Sequence, residues 1–331
     1  MSVDQGNMPA DSNGASPLVT VGLPVFNGEN YVEEAISSVL AQTFEDFELI
    51  ICDNASTDRT SAICRAFAAA DPRIRYFRNA RNLGAAPNYN LCFERARGRY
   101  LKWLAHDDAV EPTFLAESVA RMEAAPDAVL CCVNVRQIDD RGRTLRTFDS
   151  ELSSTIGLPA VERFAIVVLR PHHCTDIFGL FRRDAMIGSE LHGAYRGSDR
   201  VLLAEMALRG PFVKVEAPLL VHRDHTQRYV RTAMRDRDQT TQWLDTSKPA
   251  KERFQHWRTI GKFFEVVPRS IDGRGRRWRC YAYVLLRYTG LRALRGLMMD
   301  VLWEIRPRPG RFAERAEKTA NRWLRGVPHR R

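Results

Sequence analysis

Tyr100-Leu101-Lys102-Trp103-Leu104-Ala105-His106-Asp107-Asp108-Ala109 is an apolar, aromatic-rich run that ends on two adjacent carboxylates, with Glu111-Pro112 just beyond. Its composition reads as a buried strand whose end projects Asp107 and Asp108. Carboxylates at a strand end suit a hard divalent cation, which keeps several waters and takes one or two protein carboxylates together with a substrate's phosphates. The same pair also reads as an Asp-Asp turn that ends the strand before a helix at 113–125. The stretch alone leaves both readings open.

On its N-terminal side the chain alternates strands and helices. Leu18 to Val25 is a β-type run that gives way to Asn27 and Gly28, and an amphipathic helix follows from about Glu29 to Gln42. Phe47 to Cys52 is a second strand. It runs into Asp53-Asn54-Ala55-Ser56-Thr57-Asp58, where Ser56 or Thr57 is placed to cap a helix reaching about Ala70. Asp71-Pro72 breaks that helix, Ile74 to Phe77 is a third strand, and the polar loop Asn79 to Gly84 precedes a helix at 85–96. This alternation predicts an α/β fold with a mostly parallel sheet flanked by helices, whose ligands bind beyond the C-terminal strand ends. Pro24, Asn27, Asp53, Asn82, Asp107 and Asp108 all fall on that edge.

Beyond the quoted stretch, Val129 to Ile138 reads as a strand with an Asp-Asp-Arg-Gly turn at 139–142, and Ala160 to Leu169 as a helix. Pro171-His172-His173-Cys174-Thr175-Asp176 leads to a strand at Ile177 to Phe181. Arg200 to Leu208 is strongly helical, with Ser198 or Asp199 as its N-cap and Gly210 as its C-cap. Short strands at Val213 to Val215 and Leu219 to Val221 lead into His222-Arg223-Asp224-His225.

The 331 residues carry a net charge of +10. Residues 251–331 hold 21 Lys+Arg against 7 Asp+Glu, or +14, so residues 1–250 are at −4. In this basic region Tyr281, Val284, Leu285, Tyr288, Leu291, Leu294, Leu297, Met298, Val301 and Leu302 recur at helical spacing with Arg287, Arg292 and Arg295 between them. Such a pattern suits helices packed on the sheet, and equally an anionic membrane surface. The +14 region contains no recognised nucleic-acid module. Residues 1–16 read as a disordered leader, and no apolar run reaches the ~18 residues of a spanning helix. Seven cysteines without Cys-x-x-Cys spacing suggest buried, reduced thiols and a cytoplasmic setting. No Gly-x-Gly-x-x-Gly follows the first strand, against a dehydrogenase, and no Gly-rich loop with a following Lys supports a nucleotidyltransferase.

Four pieces in order resemble the family 2 glycosyltransferases across roughly residues 17–226. They are Val21 to Asn27 with Tyr31 and Ala35 to Thr43; Glu48 to Asp58; Asn82-Leu83-Gly84 with Asn88; and Leu104 to Asp108. The resemblance implies the A-type glycosyltransferase fold over 17–230, followed by a basic amphipathic helical region at 231–331. It implies inverting transfer from a nucleoside diphosphate sugar, most often a UDP-sugar, to a glycan or lipid-linked acceptor of cell-surface material. The protein would then sit in the cytoplasm, at the inner face of the plasma membrane where it meets lipid.

By the same resemblance Pro24, Asn27, Asp53, Asn82, Asn88 and Asp107 surround the nucleotide, with Asp53 accepting from the base. Asp107, Asp108 and His225 hold Mn²⁺ or Mg²⁺. Asp199 is the general base that takes the acceptor's proton, against its alternative as a helix cap. His222 and Arg223 approach the diphosphate, and Arg182 and His173 the acceptor. Ala105 stands where many members have the first Asp of Asp-x-Asp-Asp. A non-catalytic nucleotide-sugar-binding protein of the same fold therefore stays open as an alternative.

Overall fold

The computed structural model describes residues 16–150, 152, 154–226, 228, 237–248, 254–290, 294–298 and 300–301. The leader expected at 1–16 lies outside the described residues except for Ser16, as do residues 231–236 and 302–331 of the basic region.

Strands β1 (Val19–Val25) and β2 (Phe47–Asp53) are buried at every position, as strands covered on both faces must be. Alternate residues of β2 serve opposite layers: Leu49 and Ile51 pack with Val21, Leu23, Ile36 and Phe114, whereas Ile50 and Cys52 pack with Leu101, Trp103 and Phe164. Helices α1 (Val32–Leu40), α2 (Thr60–Ala70) and α3 (Ala85–Arg95) make the crossovers between β1, β2, β3 (Ile74–Arg78) and β4 (Tyr100–Trp103). The four strands run parallel in the order β3-β2-β1-β4. That arrangement delivers the loops after β1, β2 and β4 to one edge.

Past β4 the sheet is mixed. Strand β5 (Ala109–Val110) directly follows Asp108, and α4 (Phe114–Glu123) leads to β6 (Leu130–Ile138) and β7 (Thr144–Phe148). The 139–142 turn joins β6 to β7 as an antiparallel pair, because a short turn cannot return a strand to parallel. Helix α5 (Ala160–Leu169) lies where the sequence puts it. The strand expected at Ile177–Phe181 is instead a 3-10 turn (Thr175–Phe178) and a short strand β8 (Leu180–Arg182), antiparallel to both β4 and β6. After the one-turn helix α6 (Arg183–Met186) and α7 (Ser198–Arg209), the two short strands expected at 213–221 are one long strand, β9 (Phe212–Arg223). Its ladder with β6 shifts register opposite Pro218, which has no N–H to donate. The full order is β3-β2-β1-β4-β8-β6-β9-β5.

Of the C-terminal region, α8 (Arg237–Leu244), α9 (Gln255–Ser270) and α10 (Arg274–Arg287) are described. Phe263, Val266, Val267, Cys280 and Val284 join the core cluster that contains Phe164 and Leu203. A buried charge fixes this packing. Glu205 on α7 is fully buried and pairs with Arg209 (2.7 Å) and with Arg269 of α9 (2.9 Å). The opposite face of α10 stays open: Trp278 is 70% exposed, with Leu285 and Leu286 also in solvent. All seven cysteines are free thiols and six are buried. Among the described residues no helix is long and apolar enough to cross a membrane.

Candidate functional site

The loops after β1 and β2 are stitched to each other. Asn27 takes the left-handed φ of 49°. Its Oδ1 accepts the Thr57 N–H at 2.8 Å, and its own N–H donates to Ser56 Oγ at 3.0 Å. Gly28 is required here, since a Cβ would stand 2.4 Å from His106 Cδ2. Pro24 is buried in β1 beside Cys52. Helix α2 starts at Thr60, later than the sequence suggests. Asp58 Oδ1, in place of Ser56 or Thr57, accepts the Thr60 N–H at 3.0 Å.

Asp53 is fully buried. One oxygen accepts the Ser56 N–H (2.8 Å), and the other takes the Tyr76 hydroxyl (2.6 Å) and the Arg78 guanidinium (3.4 Å). Its carboxylate holds its own loop, and a contact with a base would have to compete with Tyr76 and Arg78. Asn54, next in the chain, was not singled out in the sequence, yet it is the hub of this edge. Its Nδ2 donates to Asn82 Oδ1 (2.8 Å) and to Gly84 O (3.1 Å), and its Oδ1 accepts from Asn79 Nδ2 (3.0 Å) and Leu83 N (2.9 Å). Asn88 is buried and donates to Cys52 O at 2.8 Å, fastening α3 to the end of β2. The segment after α8 lies over the same loop, where Thr246 Oγ1 donates to Asn82 O at 2.6 Å.

The carboxylates that end the β4 run separate in role. Asp108 is buried, with Oδ2 at 3.1 Å from His222 Nδ1 and Oδ1 accepting the Arg223 N–H at 3.0 Å. Asp107 is less enclosed, and its Oδ2 is 3.0 Å from His225 Nε2. Burial pushes Asp107 up, but the His225 hydrogen bond and the charges of His106 and Arg228 outweigh it and hold the carboxyl well below the usual range. His225 in turn lies against Tyr31, ring centroids 5.0 Å apart. Arg223 is committed to the fold: its guanidinium reaches Glu34 (2.5 Å), Asp107 O (3.2 Å) and Asp139 O (3.3 Å) and covers the Tyr31 ring. The sequence put His222 and Arg223 after the last strand, but both belong to β9 itself.

Among the described residues no three His, Cys, Asp or Glu side chains converge into a metal cage. The donor set still fits a hard cation that draws the rest of its shell from phosphate and water. Asp107 and His225 face each other at 3.0 Å, a separation that two neighbouring ligands about 2.1 Å from one octahedral ion also have. Asp108 has both oxygens taken, by His222 and the Arg223 N–H.

Asp199 stands in the first turn of α7. The N-cap is Gly197, left-handed at φ 85°, and no side chain caps the helix, so neither Ser198 nor Asp199 does so. Asp199 keeps 48% of its side chain exposed, with Oδ1 3.4 Å from His192 Nδ1. Nothing in the sequence marks His192, a lone histidine in an irregular loop. Its ring packs 4.6 Å from Tyr89 and 4.5 Å from Trp103, the last residue of β4. Burial raises the Tyr89 phenol well above its ordinary range, with further pressure from Asp107, Asp108 and Asp199.

His173 is exposed in the segment that Arg200 ties to α7 by donating to His172 O at 3.0 Å. Arg182 is the clear correction. It pairs in register with Tyr100 at the start of β4 and donates to Ala128 O (2.8 Å) and Met122 O (3.3 Å). Because β8 runs antiparallel to β4, Arg182 lies at the opposite edge of the sheet from Asp107 and away from any acceptor.

The sequence profile described as glycosyl transferase family 2 matches residues 20–187. An uncharacterized glycosyltransferase of Rickettsia typhi is 36% identical over 107 residues, 32% of this chain and 32% of its own length. The chondroitin synthase of Pasteurella multocida is 30% identical over 170 residues, 49% of this chain and 17% of its own length. The chain spans a third or less of the first curated relatives it matches: 32%, 21% and 14% of their lengths. Among solved structures, S. aureus TarS 1–349 in complex with UDP-GlcNAc is similar with a TM-score of 0.61 and 14% identity, over 85% of this chain and 79% of that one. The mannosyltransferase PcManGT of Pyrobaculum calidifontis, in complex with GDP-Man and Mn²⁺, is similar with a TM-score of 0.50 and 15% identity, over 94% of this chain and 81% of that one. At such identities the likeness shows the fold, the A-type arrangement that the alternating strands and helices foretell.

Proposed function

The chain belongs to glycosyl transferase family 2, and from that premise we propose that it moves a sugar from a nucleoside diphosphate donor, a UDP-sugar first among them, to an acceptor hydroxyl with inversion. The observation that carries this reading is the contrast between two carboxylates: Asp107, paired with His225 at 3.0 Å just beyond the end of β4, and Asp199, largely open in the first turn of α7. Pro24, Asn27 and Asn82 line the nucleotide, while Asp53, Asn54 and Asn88 hold the loops that shape its pocket. Asp107 and His225 would hold Mn²⁺ or Mg²⁺, which supplies charge neutralisation for the leaving diphosphate. His222 acts through Asp108. Asp199 takes the proton of the acceptor hydroxyl as its oxygen bonds to the anomeric carbon. The bond from that carbon to the diphosphate oxygen breaks on the other face, and its electron pair leaves with the nucleoside diphosphate.

The acceptor in this reading is a glycan or lipid-linked sugar of cell-surface material, met at an anionic membrane face. Trp278, Ala282, Leu285 and Thr289 lie along one exposed face of α10 and the turn after it, beside Leu286 and the exposed Arg274, Arg276 and Arg279. Apolar residues flanked by arginines fit an acidic bilayer surface. Trp278→Glu with Leu286→Glu should abolish pelleting with phosphatidylserine vesicles. Unchanged pelleting, or none by the wild-type chain, removes this contact from the proposal.

The donor assignment is tested by thermal shift against UDP, GDP and their sugars, with and without Mn²⁺, followed by assay of nucleoside diphosphate release. A ligand at 100 times its Kd stabilises by about 2.7 kcal/mol. The reading requires a shift with one nucleoside diphosphate sugar and its turnover. A shift without turnover for any acceptor favours the non-catalytic binding protein, and no shift at all contradicts the pocket.

A further inference from the structure

We infer that His192 is the positioning residue for Asp199: its Nδ1–H holds Oδ1 of the carboxylate and leaves Oδ2 to receive the acceptor's proton. This rests on the reading of Asp199 as the base. The first support is the tautomer that the surroundings impose. His192 Nε2 is buried without a hydrogen-bond partner among the described residues, in a ring flanked by Tyr89 and the fully buried Trp103. A proton on Nε2 would be an N–H shut away from any acceptor. The lone pair belongs there, and the proton belongs on Nδ1, the nitrogen that faces Asp199 at 3.4 Å. That contact is one small closure from a hydrogen bond, and such bonds tighten when substrate arrives.

The second support is how much of the fold is spent on placing this ring. Asn90 clamps the His192 backbone on both sides, accepting from its N–H and donating to its carbonyl, each at 3.0 Å. Leu191 is held at φ 51°, and Gly193 is obligatory because a Cβ would stand 2.1 Å from Tyr195 Cε1. A left-handed non-glycine residue, a mandatory glycine and an amide clamp around one buried loop histidine are strain and order invested at a functional position.

Other titratable groups lie in the neighbouring segments. From α3 comes Tyr89 and from the turn before Thr175 comes Cys174. Tyr195 comes from its own loop, and burial raises all three so that they stay neutral. His172 is pushed down to about 4 by burial and is neutral too. Arg200 is bound to carbonyls of 167–172 and Lys248 donates to Ala194 O, while the exposed His173 stands in the neighbouring segment.

A donor to the ionised carboxylate favours its charged form. Without that donor the acid limb of kcat/KM should move to higher pH. The test is the pH profile of the full chain and of His192→Asn, His192→Gln and His192→Phe, each checked for a wild-type Tm. The Asn amide nitrogen stands where Nδ1 stood, so H192N should keep the limb. H192F and H192Q should displace it, with kcat down about tenfold to a hundredfold and the donor KM unchanged. If H192F and H192Q keep the wild-type limb and kcat while Asp199→Asn is inactive, the inference fails and the base reading stands. If Asp199→Asn remains active, the base reading itself has failed.

Discussion

At the edge proposed for the donor, Asp53, Asn54, Asn88 and Asp108 are buried and hydrogen-bonded to neighbouring strands and loops, whereas on the proposed acceptor side Asp199 keeps 48% of its side chain in solvent beside a single histidine. The difference follows from the tasks. A pocket for a large, rigid nucleotide is preorganised by loops that cannot move, and the polar groups that fix them are consumed in doing so. A base must keep an oxygen open to an incoming hydroxyl, so its support comes from one side only. On the donor side the visible polar residue is mostly scaffold, and on the acceptor side the scaffold hides in the apolar layer behind Asp199.

The comparison breaks first on the acceptor side. Removing Glu205 takes the carboxylate from Arg209 and leaves Arg269 with Glu190 alone. Glu205→Ala should cost about 3 kcal/mol in urea unfolding, the low end for a broken buried pair because Arg269 is a third exposed. Loss of under ~1 kcal/mol would mean that α9 does not brace the helix carrying Asp199. On the donor side, Asn54→Ala orphans the Leu83 N–H and leaves the Gly84 carbonyl with the Asn88 N–H alone. It should cost about 1–3 kcal/mol and weaken UDP binding in calorimetry while leaving acceptor KM alone. A change in acceptor KM would merge the two sides.

A pH-dependent effect distinguishes the floor beneath both. Lys102 is fully buried in β4, donating to Phe178 O at 2.7 Å. Burial pushes its ammonium down to about 7, with Asp108 resisting the shift. The folded pKa lies below the ordinary 10.5, so between these values the unfolded chain binds the extra proton. Stability should therefore rise as pH climbs from about 7 toward 10, by at most ~1.4 kcal/mol per unit from this group. Lys102→Met should flatten that slope in denaturant titrations, and an unchanged slope would place its origin elsewhere.

Much of this was legible in the sequence, and what was not has a common cause. The β4 run, the Asn27 and Asn82 loops, α5 and the position of Asp199 on α7 follow from local composition and period. Which carboxylate turns inward does not: Asp108 is claimed by His222 across 114 residues, and Asp53 by Tyr76 across 23. The family resemblance puts Arg182 near the acceptor. Its edge is set by the antiparallel entry of β8, which a three-residue strand does not announce. His192 carries no period, no motif and no charge partner nearby in sequence; only the folded contact with Asp199, seven residues on, singles it out.

The central claim is that Asp199 and the Asp107 edge act on one sugar from opposite sides. It is tested most directly by incubating wild-type and Asp199→Asn protein with the donor found in the binding screen and its acceptor, and reading the product's anomeric configuration by NMR. The account predicts an inverted linkage from the wild type. It also predicts a variant that binds donor with the same Kd but transfers slower by about a hundredfold or more. A product with retained configuration, or an Asp199→Asn rate equal to wild type, would contradict it.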